Sequence, residues 1–75
     1  MAVRRSVNIS IEIDRDGEHW VGIVQEFPVS DFGNTMAEAF TRTFDAAAAW
    51  VKANVDAGQM DKMAANYGFT IETED

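Results

Sequence analysis

The segment from Trp20 to Val55 constrains the fold of this 75-residue chain more than any other. It begins with the strand-like run Trp20-Val-Gly-Ile-Val, is broken by Pro28, and leads through the turn Phe32-Gly-Asn-Thr35 into a long alanine-rich stretch typical of a helix. One alternating strand precedes the segment and another follows it. The sequence therefore predicts a single α+β domain over residues 1–75. We expect a small two-layer β-β-β-α-β unit, an antiparallel hairpin sheet with one long helix packed on one face.

The first two strands are predicted from residue alternation and from the turn between them. Apolar and polar residues alternate from Val7 to Ile13, the period of a strand with one buried face. Asp16-Gly17 follows, and this dipeptide favours a two-residue hairpin loop because glycine tolerates positive φ. With that loop, Ile13 lies opposite Trp20 and the isoleucines of the first strand share one face with the aromatic ring.

The other face of this hairpin is the more informative one for function. It carries polar residues from the first strand but Val21 and Ile23 from the second, so apolar side chains lie where a two-layer domain usually meets water. Such a patch indicates contact with another chain, or cover from the C-terminal segment. We expect Val21 and Ile23 to make apolar contacts with a partner and Glu12, on the same face, to make a charged contact.

The helix is predicted with clear ends. Thr35 is an N-cap candidate and Glu38 completes a capping box, whereas Gly58 is a plausible stop. Apolar residues again occupy alternate positions from Tyr67 to Ile71, which predicts a last strand. Large and small apolar residues recur at three- and four-residue steps along the helix, and this stripe is expected to lie across the sheet. Its members are Phe40, Phe44, Ala47, Val51 and Val55.

The net charge of −7 narrows the range of partners. Duplex binding draws most of its affinity from Lys and Arg side chains that neutralise phosphates, and the six basic residues here are scattered apart from one pair. We therefore expect no direct nucleic-acid binding, and a small basic protein suits the acidic surface better.

No stretch approaches the roughly 20 apolar residues of a membrane span, and no apolar secretion segment opens the chain. A cytoplasmic location without membrane contact is expected.

No motif in the chain demands a particular chemistry. The acidic residues of the hairpin tip, Asp14, Asp16 and Glu18, resemble a calcium loop only superficially, because Gln25 stands where a closing glutamate is required. His19 is the only histidine, there is no cysteine, and no serine lies in a nucleophile motif. We expect no enzyme activity, no metal and no cofactor.

Several short motifs between residues 7 and 57 resemble the N-terminal module of the HicB-like antitoxin family. The matching runs are Asp16-Gly17, Trp20-Val-Gly-Ile-Val, Phe27-Pro28, Phe32-Gly-Asn-Thr35 and Glu38-Ala39-Phe40. Asn34 replaces the usual aspartate, and Val29-Ser30-Asp31 stands where the family commonly has a glycine-containing loop.

The resemblance implies a truncated ribonuclease-H-like fold without catalytic residues, which in antitoxins binds and blocks a small basic RNA-cleaving toxin. Those antitoxins usually append a DNA-binding segment that represses their own operon, and these 75 residues leave no room for one. The chain is therefore expected to be an orphan or phage-borne module that retains protein binding without autoregulation.

Three functions remain open on the sequence. The leading hypothesis is a non-enzymatic protein-binding module that neutralises a partner by occlusion, as an antitoxin of a type II toxin–antitoxin system does. A second is an acidic mimic of nucleic acid that inhibits a host nuclease or defence enzyme, with binding that weakens steeply as salt rises. A third is a structural homo-oligomer without a ligand, and a homodimer or higher oligomer is expected in any case.

Overall fold

The structure is a computed structural model that describes residues 4–74, and it confirms a small α+β fold. Five strands form two antiparallel sheets, and one long helix accompanies a short one. In chain order the elements are β1 (Arg4–Val7), β2 (Ile11–Asp16), β3 (His19–Val24), β4 (Ser30–Gly33), α1 (Met36–Asp56), α2 (Met60–Tyr67) and β5 (Ile71–Glu74). The sheet order β2-β3-β4 leaves β2 and β4 as its edges, and β1 pairs with β5 in a separate ribbon.

The hairpin of β2 and β3 has the predicted faces but a different turn. The loop is Gly17-Glu18 and not Asp16-Gly17, so Asp16 pairs with His19 and Ile13 pairs with Gly22. Gly17 has a φ of +62°, and no residue other than glycine has positive φ among those described. A positive φ at the first loop position alone is the requirement of a type II′ turn. The register therefore shifts by two residues, which preserves the predicted faces because side chains alternate with a period of two.

The chain turns at Pro28 and returns as the third strand of the sheet. Val24 donates its amide to the carbonyl of Val29 at 2.9 Å, so pairing starts just after the proline. The third strand of the predicted β-β-β-α-β unit is observed as Ser30–Gly33. The ladder continues with Val21 opposite Phe32, which places both side chains on the same face.

The ends of α1 agree with the predicted capping. The amide of Glu38 donates to Thr35 Oγ1 at 3.1 Å, and the Glu38 carboxylate accepts from the amide of Asn34 at 3.2 Å. These bonds satisfy amides that a helix start would leave without partners. At the other end the helix stops at Ala57, followed by Gly58 with a φ of +68°.

The face that α1 turns to the sheet was predicted incorrectly. The stripe of Phe40, Phe44, Ala47, Val51 and Val55 was expected to lie across the sheet, yet only Ala47 of these is fully buried. The buried stripe of the helix consists of Ala39, Thr43 and Ala47.

Two strand glycines explain why small residues of α1 form the contact with the sheet. Cβ atoms built on Gly22 and Gly33 would lie 2.2 Å from Thr43 Oγ1 and 2.4 Å from the Ala39 nitrogen. The helix backbone therefore approaches the sheet too closely for large side chains to fit between them. Phe40 and Phe44 are displaced to the side of the helix, where about half of each side chain stays exposed.

Aromatic stacking closes the core at the far end of the helix. Phe27 is 3% exposed and its ring lies parallel to that of Trp50, with centroids 4.1 Å apart. Phe69 meets Phe27 edge to face at 5.7 Å, which brings the C-terminal segment onto the same cluster. Trp50 thus packs at the edge of the core with partners from both halves of the chain.

The terminal segments complete the fold within one chain. The predicted strand over 7–13 is interrupted at residues 8–10, where the amide of Ser10 donates to a Glu26 carboxylate oxygen at 2.8 Å. The last strand begins at Ile71, later than predicted, because Tyr67 still belongs to α2. Val7 pairs with Ile71, so β5 pairs with β1 of its own chain and not with the three-stranded sheet.

Candidate protein-binding surface

The residues predicted to contact a partner lie together on the face of the three-stranded sheet that points away from α1. Glu12 pairs with Ile23, and Asp14 pairs with Val21. Gly22 and Gly33 contact the helix, and residues one position away along a strand point to the opposite side. Glu12, Val21 and Ile23 therefore share one surface, which we call the outer sheet surface.

Phe32 belongs to this surface as well, and the sequence did not assign it a role there. It pairs with Val21 and is 51% exposed, the most exposed apolar side chain of the three strands. The position of Phe32 beside Gly33 indicates this exposure. When a glycine of a strand faces the helix, the next side chain points to the opposite face. Val21, Ile23 and Phe32 form the apolar centre of the outer sheet surface, and Val21 and Ile23 are half-buried.

Carboxylates flank this apolar centre on the β2 side. Glu12, Asp14 and Asp16 alternate along the edge strand and all point outward. The one Lys or Arg of the three strands, Arg15, lies on the other face, with its guanidinium 5.6 Å from the centre of the Trp20 ring. The outer sheet surface thus carries three carboxylates without a Lys or Arg from its own strands.

At the free edge of β4, side chains occupy the main-chain amide and carbonyl of Phe32. The hydrogen bond from Val24 to Val29 fixes which residues face β3, and by alternation the main chain of Phe32 faces away from it. The amide of Phe32 donates to Asp31 Oδ1 at 2.7 Å, and its carbonyl accepts from Arg42 at 3.4 Å. Capping of an exposed edge in this way blocks pairing with another strand. A partner is therefore expected on the sheet face and not at this edge.

A shallow recess adjoins the outer sheet surface where β4 meets α1. It is lined by His19, Phe32, Gly33, Asn34 and Arg42. The guanidinium of Arg42 is already engaged by Glu38 at 3.2 Å, and no serine, threonine or carboxylate lines the recess to act with the imidazole. The recess therefore offers shape and hydrogen-bonding groups without a nucleophile–base arrangement.

The described residues hold no cluster of three side chains able to bind a metal ion. Within residues 4–74 no helix is both long and apolar enough to cross a membrane. Comparison of the chain with protein-family models, with curated proteins and with solved structures gives no match. The geometry of the chain itself is therefore the basis for assigning a function.

Proposed function

We propose that this chain is a non-enzymatic protein-binding module that neutralises a basic protein by covering part of its surface. The observation that carries the proposal is the outer sheet surface, where an apolar centre of the exposed Phe32 and the half-buried Val21 and Ile23 lies beside a row of carboxylates. An apolar centre with a charged border is the usual organisation of a protein interface. The resemblance to HicB-like antitoxins suggests a small basic RNA-cleaving toxin as the partner, bound in the cytoplasm.

The two parts of the surface have separate physical roles. Burial of the Phe32 ring and its apolar neighbours stabilises the complex by about 25 cal/mol for each Å² of apolar surface taken from water. This stabilisation favours a long-lived complex. Glu12 and Asp14 attract a positively charged surface over a Debye length and orient it during the encounter. Occlusion needs no catalytic group in the binder, because a covered active site is sufficient to stop the partner.

One observation favours a second candidate, an acidic mimic of nucleic acid. Glu12, Asp14 and Asp16 form a regular row on one side of β2, and alternate residues of a strand lie about 6.8 Å apart. Such a row resembles the repeated charge of a phosphate backbone. The row is short, however, and a mimic has no need of the apolar centre beside it. We therefore favour the protein-binding module.

The proposal is tested by capture of partners from the organism that encodes the chain. Tagged protein is incubated with nuclease-treated extract at low and at high salt, and retained proteins are identified by mass spectrometry. A small basic protein retained at high salt is the expected result, because apolar burial resists screening. A large nucleic-acid enzyme that is lost at high salt would instead favour the mimic.

Matched variants make the capture specific to the surface. Val21→Asp and Ile23→Asp place a charge in the apolar centre, and each is expected to abolish capture of the basic protein. Asp45→Ala, at an exposed position of α1, is the control and is expected to capture normally. Circular dichroism of each variant distinguishes loss of binding from loss of folding. Normal capture by both folded aspartate variants would refute the assignment of this surface.

A further inference from the structure

A second apolar surface runs along the side of α1, and the protein-binding proposal does not use it. Phe40 and Phe44 follow the buried residues Ala39 and Thr43 by one position, which turns them about 100° around the helix. Their rings stack with centroids 6.2 Å apart, yet about half of each remains exposed. We call this the helix-flank surface, and its members are Phe40, Phe44, Ala48, Val51 and Val55.

The helix-flank surface borders a groove on the side of the molecule remote from β4. Arg42 extends from the opposite flank of the helix to Phe32 on β4, so the phenylalanines lie toward β2 and the segment that precedes it. The groove has a volume of about 370 Å³, and Val7 and Ile9 form its far wall. It is an open apolar channel along the helix.

The order of residues in the helix-flank surface is symmetric about its centre. Phe44 and Val51 lie equally far from the midpoint between Ala47 and Ala48, and so do Phe40 and Val55. A surface with this symmetry is complementary to itself when a second copy is turned by 180°. The large rings then face the smaller valines, and the exposed Ala48 at the centre allows close approach of the two backbones.

From this symmetry we propose that two copies of the chain pair through their helix-flank surfaces, with the α1 helices antiparallel. Phe40 of each copy faces Val55 of the other, and Phe44 faces Val51 and enters the groove beside it. Ala48 lies next to the two-fold axis. The interface is isologous, so one set of contacts occurs twice.

Charge restricts where a second copy can bind. Each copy carries a net charge of −7, so two copies can approach closely only through a surface without acidic side chains. Lys52 is the one charged residue that lines the groove, and its ammonium group is paired with Asp56 at 2.7 Å. A basic partner is drawn to the carboxylates of the outer sheet surface instead. The two surfaces therefore select different occupants.

The exposure of this surface is typical of an interaction site. Phe40, Phe44 and Val55 are each about half exposed. Large apolar side chains clustered on the surface of a small domain mark a site of contact with another molecule. Pairing through α1 leaves the outer sheet surface of each copy free, because the two surfaces lie on opposite sides of the sheet. The dimer would thus offer two partner-binding surfaces.

The first test uses the wild-type protein and two variants that each carry one introduced cysteine. The chain has no cysteine of its own. At about 100 µM, where a dimer with a dissociation constant of ~1 µM is formed, the mass in solution is expected to be twice that of the chain. Ala48→Cys, beside the axis, is expected to form an intermolecular disulfide under mild oxidation. Ala49→Cys is the matched control on the exposed opposite flank and is expected to remain monomeric on a non-reducing gel. A monomeric wild type, or equal cross-linking of the two variants, would overturn the proposal.

The second test addresses the register of the two helices. Phe40→Lys and Val55→Glu each place one charge in the interface, and each is expected to halve the mass in solution. In the combined variant Lys and Glu face each other twice across the axis, so the dimer is expected to return. Circular dichroism confirms that all three remain folded, and both positions are about half exposed. A folded double variant that stays monomeric would overturn the antiparallel arrangement. These measurements need no partner protein. Their outcome is therefore independent of the protein-binding proposal.

Discussion

Gly22 lies directly beneath Thr43, and a Cβ atom on the glycine would stand 2.2 Å from Thr43 Oγ1. This contact sets the distance between α1 and the sheet. It also decides which helix residues are buried, because only alanine and threonine fit in the narrow space, and it leaves Phe40 and Phe44 at the side. The apolar surface along the helix is therefore a consequence of close packing in the centre of the domain.

Substitution of the two helix-facing glycines is expected to destabilise the fold. Gly22→Ala would press on the Thr43 side chain, which can shift slightly, and we expect a loss of about 2 kcal/mol in the free energy of unfolding. Gly33→Ala would press on the main chain of Ala39, which cannot move alone, so its loss should be larger. Urea unfolding measures both. Ser30→Ala, on the opposite face of the sheet, should change stability little. A loss for Gly33→Ala smaller than that for Gly22→Ala would contradict this account.

The hydroxyl of Thr43 is buried and has no hydrogen-bond partner among residues 4–74. Thr43→Val keeps the shape of the side chain and removes the unpaired hydroxyl, so we expect the free energy of unfolding to rise by about 1 kcal/mol. Thr43→Ser retains the hydroxyl and loses a methyl group, and it should lower stability by about 1 kcal/mol. Thermal or urea unfolding of the two Thr43 variants distinguishes the effect of the unpaired hydroxyl from the effect of the methyl group on stability. Equal destabilisation by both would show that the hydroxyl is satisfied in solution.

Removal of the caps on the β4 edge is expected to cause association. Asp31→Ala combined with Arg42→Ala frees the amide and carbonyl of Phe32 and leaves the net charge unchanged. An uncapped edge can pair with another strand, so we expect light scattering to increase with concentration beyond that of the wild type. Asp45→Ala with Lys62→Ala is a charge-neutral control at exposed positions. Identical scattering from the two double variants would show that the caps have no such role.

The ion pair between Arg5 and Asp61 joins β1 to α2, and both side chains are exposed to solvent. A double-mutant cycle with Arg5→Ala and Asp61→Asn should give a coupling free energy below about 1 kcal/mol, because water screens exposed pairs. The coupling should vanish at about 1 M salt, where the Debye length falls to about 3 Å. Urea unfolding at low and high salt measures it. A coupling that persists at high salt would mean that the pair is shielded from water.

The sequence predicted those features that depend on local chemistry. The α+β class, the capping box at Thr35 and the faces of β2 and β3 follow from alternation and from residues that favour helix ends, and all of them are present. The loop was misplaced because Asp16-Gly17 suits a type I′ turn, whereas the chain uses glycine at the first loop position.

The buried side of α1 could not be predicted from periodicity alone. Phe40 and Ala39 belong to stripes of equal period, and the choice between them depends on how near the sheet lies. That distance is fixed by glycines in other strands, which is a tertiary effect. For the candidate surface, Val21 and Ile23 followed from alternation, but Phe32 was assigned to a turn and its exposure depends on the β3–β4 register.

A comparison of two variants shows whether the two apolar surfaces on opposite sides of the sheet bind different occupants. Phe32→Asp and Phe44→Asp each place one carboxylate on an aromatic residue that is about half exposed. Each variant is measured for capture of the basic protein from extract and for mass in solution. We expect Phe32→Asp to lose the captured protein and remain dimeric, whereas Phe44→Asp becomes monomeric and still captures it. Folded variants that lose both properties together, or neither, would contradict this expectation.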